Sequence, residues 1–96
     1  MAGDMTLHVL TDAGLVMDEQ AVSITAPGEV GYLGILRNHA PLVTTLIPGT
    51  LAWRASSGER RVLRVGPGLL EVQQNRITIV TDRTEPITEG RESHER

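Results

Sequence analysis

The amino-acid sequence predicts an all-β domain, a sandwich or barrel of short strands. Apolar residues recur at every second position rather than at helical spacing. Gly, Pro, Asn and Ser punctuate those runs at short intervals. No strong helical run interrupts them. Alternation of this kind marks half-buried strands, because successive side chains point to opposite faces of a sheet.

Taken in order, "TLHVLT" (6–11) sets Leu7 and Val9 on one face and His8 on the other. Asp12-Ala13-Gly14 can close a tight turn after it. "QAVSIT" (20–25) places Val22 and Ile24 together against Ala21, Ser23 and Thr25. An apolar strand before Asn38-His39-Ala40-Pro41 ends in a loop, and Pro48-Gly49 breaks the chain before the next strand. "TLAWRA" (50–55) aligns Leu51 with an inward Trp53, and "RRVLRV" (60–65) aligns Leu63 with Val65. Ser56-Ser57-Gly58 between these two runs reads as a hairpin, with Gly58 free to take positive φ. Gly66-Pro67-Gly68 is a second break, since proline cannot sit in a central ladder. "NRITIVT" (75–81) sets Ile77 and Ile79 against Arg76, Thr78 and Val80, after a reversal at Gln74-Asn75. The last residues, "TEGRESHER", hold no apolar side chain, so the expected folded part is 5–87 and 88–96 a polar, disordered tail.

Ninety-six residues make one domain, and 40% hydrophobic with 22% charged residues is an ordinary globular balance. The net charge of −3 offers no attraction to a polyanion. With one Trp and one Tyr, and no Phe, the chain also lacks the rings on which single-stranded nucleic acid stacks. All nine basic residues are arginines, of which Arg54, Arg60, Arg61 and Arg64 fall close together, read as a solvated strand face. Without cysteine there is no disulfide scaffold, thiolate metal site or cysteine nucleophile. No signal peptide is apparent, and no apolar run approaches the ~20 residues that span a bilayer.

The stretch "APGEVGYLGILRNHAPL" (26–42) is the candidate for chemistry. Its glycines run G-x-x-G-x-x-G, not the G-x-G-x-x-G of a dinucleotide fingerprint, and Pro41 follows too soon for a helix to grow. A chain without lysine has no P-loop. His8, His39 and His94 are too scattered for a ligand motif. No G-x-S-x-G elbow is present. Glu29 and Glu71 are single carboxylates, and Asp18 and Glu19, being adjacent on a strand, point apart, so no acid–base pair can be assembled by spacing. These residues point to a β domain that binds another protein, with neither catalytic residues nor a cofactor site.

In register across residues 5–82, "MTLHVLT", "APGEVGYLGILRNHAPLVTTLIPGTL" and "GPGLLEVQQNRITIVTD" resemble the N-terminal domain of the epsilon subunit of F-type ATP synthases. L-G-I-L-x-x-H-A-P-L, followed by Pro48-Gly49 and Leu70-Glu71-Val72, carries the resemblance. It implies about ten short strands in two stacked sheets. It also implies a central-stalk rotor subunit that couples c-ring rotation, driven by proton flow, to ATP synthesis, with no active site of its own. The partners implied are the gamma subunit and the c-ring, at the cytoplasmic face of a bacterial plasma membrane, with no membrane insertion of this chain. By the same resemblance, Glu29, Gly31 and Tyr32 meet the c-ring and His39 and Thr44 face gamma. Gly28, Gly34, Pro41, Gly66 and Gly68 shape turns. Tyr32 stands where relatives often carry a glutamate, Arg37-Asn38 where Pro-Gly is common, and Pro67 where a small residue is usual. The chain stops where many relatives continue into two C-terminal helices, so the inhibition and ATP site those helices carry are expected to be absent if the sequence is complete. The competing readings are a stand-alone sandwich module for carbohydrate or peptide, which needs an exposed aromatic platform, and a small nucleotide-binding regulator.

Overall fold

The computed structural model describes residues 4–87. The expected tail, 88–96, lies outside them. Ten strands form: β1 (Met5–Thr11), β2 (Gly14–Ala21), β3 (Ser23–Gly28), β4 (Gly31–Leu36), β5 (Leu42–Leu46), β6 (Gly49–Arg54), β7 (Arg60–Val65), β8 (Gly68–Gln73), β9 (Arg76–Thr81) and β10 (Thr84–Pro86). They join in one ladder, ordered β10-β7-β6-β3-β5-β8-β9-β1-β2, with β4 also paired to β3. Every pairing is antiparallel except β1 with β9, where Leu7 lies opposite Ile77 and Val9 opposite Ile79. The ladder folds over at β3, whose start pairs with β6 and whose last residue, Gly28, pairs with Leu46 of β5. The curled sheet thereby becomes a sandwich with one interior.

That interior is what the alternation dictates. Leu7, Val9, Ile24, Leu51, Leu70, Ile77 and Ile79 are all within 1% of complete burial, and Trp53 is 5% exposed. Full burial of each such aliphatic side chain contributes about 1.5–3 kcal/mol. Both predicted hairpin turns form. Gly58 takes φ 96° between β6 and β7, and Gln74 and Asn75, at φ 50° and 62°, give the two-residue β8–β9 turn its left-handed pair.

One expected pairing of faces is corrected. Val22 does not share a face with Ile24: it lies at the bend between β2 and β3, 36% exposed, while Ala21 is fully buried. The backbone N–H of Val22 donates to the Arg54 carbonyl at 2.8 Å. The bend shifts the period by one residue, so Ala21 and Ile24 point inward on either side of it. Strands β2, β5 and β10 are additions to the sequence reading. β2 exposes Leu15 and Val16, which blurs its alternation, and β10 is a three-residue edge ending in Pro86.

Two of the glycines show how geometry requires the residue. Gly31 opens β4 at φ 132°, a conformation L side chains rarely adopt. At Gly68 strand β8 starts so close to β9 that a Cβ would collide with the Val80 carbonyl.

Candidate functional site

The register sorts the loops to two ends of the sandwich. Gly28 pairs with Gly31 and Leu46, Leu46 with Gly68, Gly68 with Thr81, and Leu10 with Val80. The β1–β2, β3–β4, β5–β6, β7–β8 and β9–β10 connections therefore share one end. The β4–β5 and β8–β9 connections lie at the other.

At the first end the β3–β4 hairpin carries Glu29, Gly31 and Tyr32, which the fold brings together. The Glu29 N–H donates to the Thr45 carbonyl at 3.1 Å, fixing the hairpin while its side chain stays exposed. Val30 is 99% exposed, Tyr32 61% and Ile47 44%. This end thus presents the Glu29 carboxylate among exposed Val30, Tyr32 and Ile47. The Tyr32 hydroxyl lies 3.5 Å from the Thr50 N–H, too long for a strong bond.

His39 stands at the opposite end of β4, roughly 17 Å away by strand rise. Its N–H donates to the Leu36 carbonyl at 3.1 Å. The ring Nδ1 donates to the Ala40 carbonyl at 2.7 Å, which leaves Nε2, on a half-buried ring, as the nitrogen a partner could meet. Thr44 does not join it: it lies mid-strand opposite Leu70 on the partly buried face, and its neighbour Val43, 69% exposed, points out. Gly28 and Gly66 are buried, and Cβ atoms there would strike Leu33 and Asp82 respectively. Gly34 lies inside β4 opposite Thr25, with open space where a Cβ would stand, and so forms no turn. Pro41 ends the loop before β5.

The fold also assembles a surface the sequence reading missed. On the outer face of β8, β9, β1 and β2, Leu69 lies opposite Val80, Val80 opposite Leu10, and Leu10 opposite Leu15. Leu69, Val80 and Leu15 are 53%, 50% and 59% exposed, and Val43 on β5 adds to this face. Single exposed apolar residues are ordinary, but a row of them across adjacent strands is a candidate interaction face. The available signal was Val80 on the polar side of "NRITIVT"; its neighbours in the row come from other strands. Beside the row, His8 Nδ1 lies 3.6 Å from the Asp18 carboxylate.

Among the described residues no cluster of His, Asp or Glu could hold a metal, and no helix is long and apolar enough to cross a membrane. Three of the four clustered arginines have distinct partners. Arg61 reaches Glu59 at 3.1 Å and Glu19 at 3.2 Å, and its pKa is raised, first by the hydrogen bond to Glu59 and then by the charge of Glu19. Arg54 donates to the Gly58 carbonyl at 2.8 Å, and Arg64 lies opposite Glu85.

This geometry can be set beside known proteins. A family model described as "ATP synthase, Delta/Epsilon chain, beta-sandwich domain" matches residues 4–87. The chain is 37% identical over 86 residues to the ATP synthase epsilon chain of Desulfitobacterium hafniense, covering 90% of this chain and 64% of that one. It is 40% identical over 90 residues to that of Acidithiobacillus ferridurans, covering 93% and 62%. The chain therefore spans a little under two thirds of these relatives. Among solved structures, a chain of the Euglena gracilis mitochondrial ATP synthase (OSCP/F1/c-ring) superposes with a TM-score of 0.84 at 22% identity, over 91% of this chain and 56% of that one. A chain of the Tetrahymena thermophila mitochondrial ATP synthase central stalk and c-ring gives 0.73 at 20%, over 96% and 73%. These two likenesses share the fold.

Proposed function

Since the chain belongs to the ATP synthase delta/epsilon family through its β-sandwich domain, we propose that it is a central-stalk rotor subunit of a rotary F-type ATP synthase. It couples c-ring rotation, driven by transmembrane proton flow, to ATP synthesis in the catalytic head. The observation that carries this reading is the family match over the whole described domain, 4–87. The chain itself contributes no catalytic group and acts by holding partners. Its place is peripheral, on the cytoplasmic face of a bacterial plasma membrane.

The two kinds of surface suit two kinds of contact. The hairpin end, with Glu29, Gly31 and Tyr32, is assigned to the c-ring. There the Tyr32 ring supplies packing, and Glu29 is the charge nearest the position where relatives often carry a glutamate. The outer face bearing Leu10, Leu15, Val43, Leu69 and Val80 is assigned to gamma, together with the His39 loop and the Thr44 strand. A subunit that transmits torque needs an extended, permanent contact, and an apolar face supplies it through desolvation. The carbohydrate alternative loses its platform: Trp53 is buried, which leaves Tyr32 as the sole exposed large ring.

Co-expression with the cognate gamma subunit tests this. A 1:1 complex is expected for the wild-type chain and its loss for Leu69→Glu combined with Val80→Glu. A wild-type chain that forms no such complex overturns the reading.

A further inference from the structure

Two asparagines from different loops grip each other beside His39. Asn38, in the β4–β5 loop, donates its backbone N–H to the Asn75 side-chain oxygen at 2.7 Å. Asn75, in the β8–β9 turn, returns its amide Nδ2–H to the Asn38 side-chain oxygen at 3.2 Å. The Asn75 carbonyl also accepts the Thr6 N–H at 2.9 Å, tying the same turn to β1. Both residues are left-handed, at φ 65° and 62°. Glycine would adopt that conformation more easily, but asparagine, which also tolerates it, adds a side-chain acceptor and a side-chain donor.

We infer that Asn75 is a positioning residue for the docking loop: through Asn38 it holds residues 37–40, and with them the His39 ring, in the geometry the partner meets. The inference rests on the reading of His39 as a gamma contact. Its physical content is preorganisation. A loop already tied to the β8–β9 hairpin has less freedom to lose on binding, so more of the contact energy appears as affinity. The Nδ1–Ala40 bond fixes the ring relative to the loop, and the asparagine pair fixes the loop relative to the sheet. The chain of bonds from β1 to the His39 ring is thereby continuous.

The test compares the wild-type chain with Asn75→Gly, Asn38→Gly and the double variant; glycine keeps both backbone conformations accessible. Amide exchange at Asn38 and His39 reports the latch, and binding to the cognate gamma subunit reports the docking. Asn75→Gly is expected to speed exchange at Asn38 and His39 and to weaken gamma binding roughly three- to tenfold, the range for ordering about one side chain. The double variant is expected to bind no more weakly than either single one. Asn75→Asp, which keeps the acceptor for the Asn38 N–H, should recover most of the loss. In a His39→Ala background the Asn75→Gly penalty should vanish, which a merely stabilising role would not produce. Wild-type exchange and affinity in Asn75→Gly overturn the inference, as does an undiminished penalty without His39. A wild-type chain that ignores gamma sinks the docking reading instead, and the exchange data alone then decide whether the pair holds the loop.

Discussion

Trp53 on β6 donates its indole N–H to the Glu19 carboxylate on β2 at 3.1 Å, across 34 positions of sequence. The two strands are not neighbours in the ladder; the bond forms where the curled sheet brings its β2 edge back over β6. The same carboxylate receives Arg61 from β7 at 3.2 Å. Glu19 therefore ties the two layers together at the rim, over a ring that is otherwise buried.

Trp53→Phe keeps most of the ring volume and removes the donor. It is expected to lower unfolding stability by about 1–3 kcal/mol, the range for a hydrogen bond to a charged group together with some lost volume. Urea denaturation followed by circular dichroism measures it. Glu19→Gln, which keeps an acceptor, should cost less than Glu19→Ala; equal costs would mean the bond contributes nothing.

Adjacent residues on β8 should behave oppositely. Leu70 is fully buried and Leu69 is 53% exposed. Leu70→Ala is expected to cost about 2–5 kcal/mol, whereas Leu69→Ala should stay within about 0.5 kcal/mol. Thermal melts of the isolated domain separate them, and a large loss at Leu69 would contradict its outward placement.

The glycines divide in the same manner. Gly68→Ala drives a methyl into the Val80 backbone and should cost at least about 1–3 kcal/mol. Gly31→Ala should be destabilising through its φ of 132°. Gly34→Ala meets open space in ordinary strand geometry and should be neutral to stabilising by about 0.4–1 kcal/mol. The ranking of three melting midpoints decides it.

Glu29 is the exposed carboxylate at the hairpin tip. Glu29→Lys should leave the melting midpoint of the domain unchanged, since exposed charges contribute little to stability, while weakening coupled proton pumping in reconstituted membranes. Unchanged pumping would remove Glu29 from the ring contact.

Much of this was legible because strand alternation is a local property. Leu7, Val9, Leu51, Trp53, Ile77 and Ile79 declare their face by their neighbours, and all are buried. The turn at Gln74-Asn75 follows from the left-handed tolerance of asparagine. The candidate loops around Glu29 and His39 were visible as motifs too. Strand β2 was not, because Leu15 and Val16 are apolar yet exposed, so its pattern has no clean period. Val22 misled for a related reason: a bend resets the alternation, and a single sequence does not announce the reset.

By itself the sequence determined the β class, most of the inward side chains of the strands it marked and the hairpin turns at Gly58 and Gln74-Asn75, since each depends on residues within a few positions of one another. Tertiary structure alone decided the rest. It paired β1 in parallel with β9, put Glu29 and His39 at opposite ends, linked Asn38 to Asn75, closed Glu19 on Trp53 and lined up Leu69, Val80, Leu10 and Leu15. A strand's period states which of its faces is apolar. Which strand lies beside it, and at what register, is settled by how nine of the ten strands bury one common core.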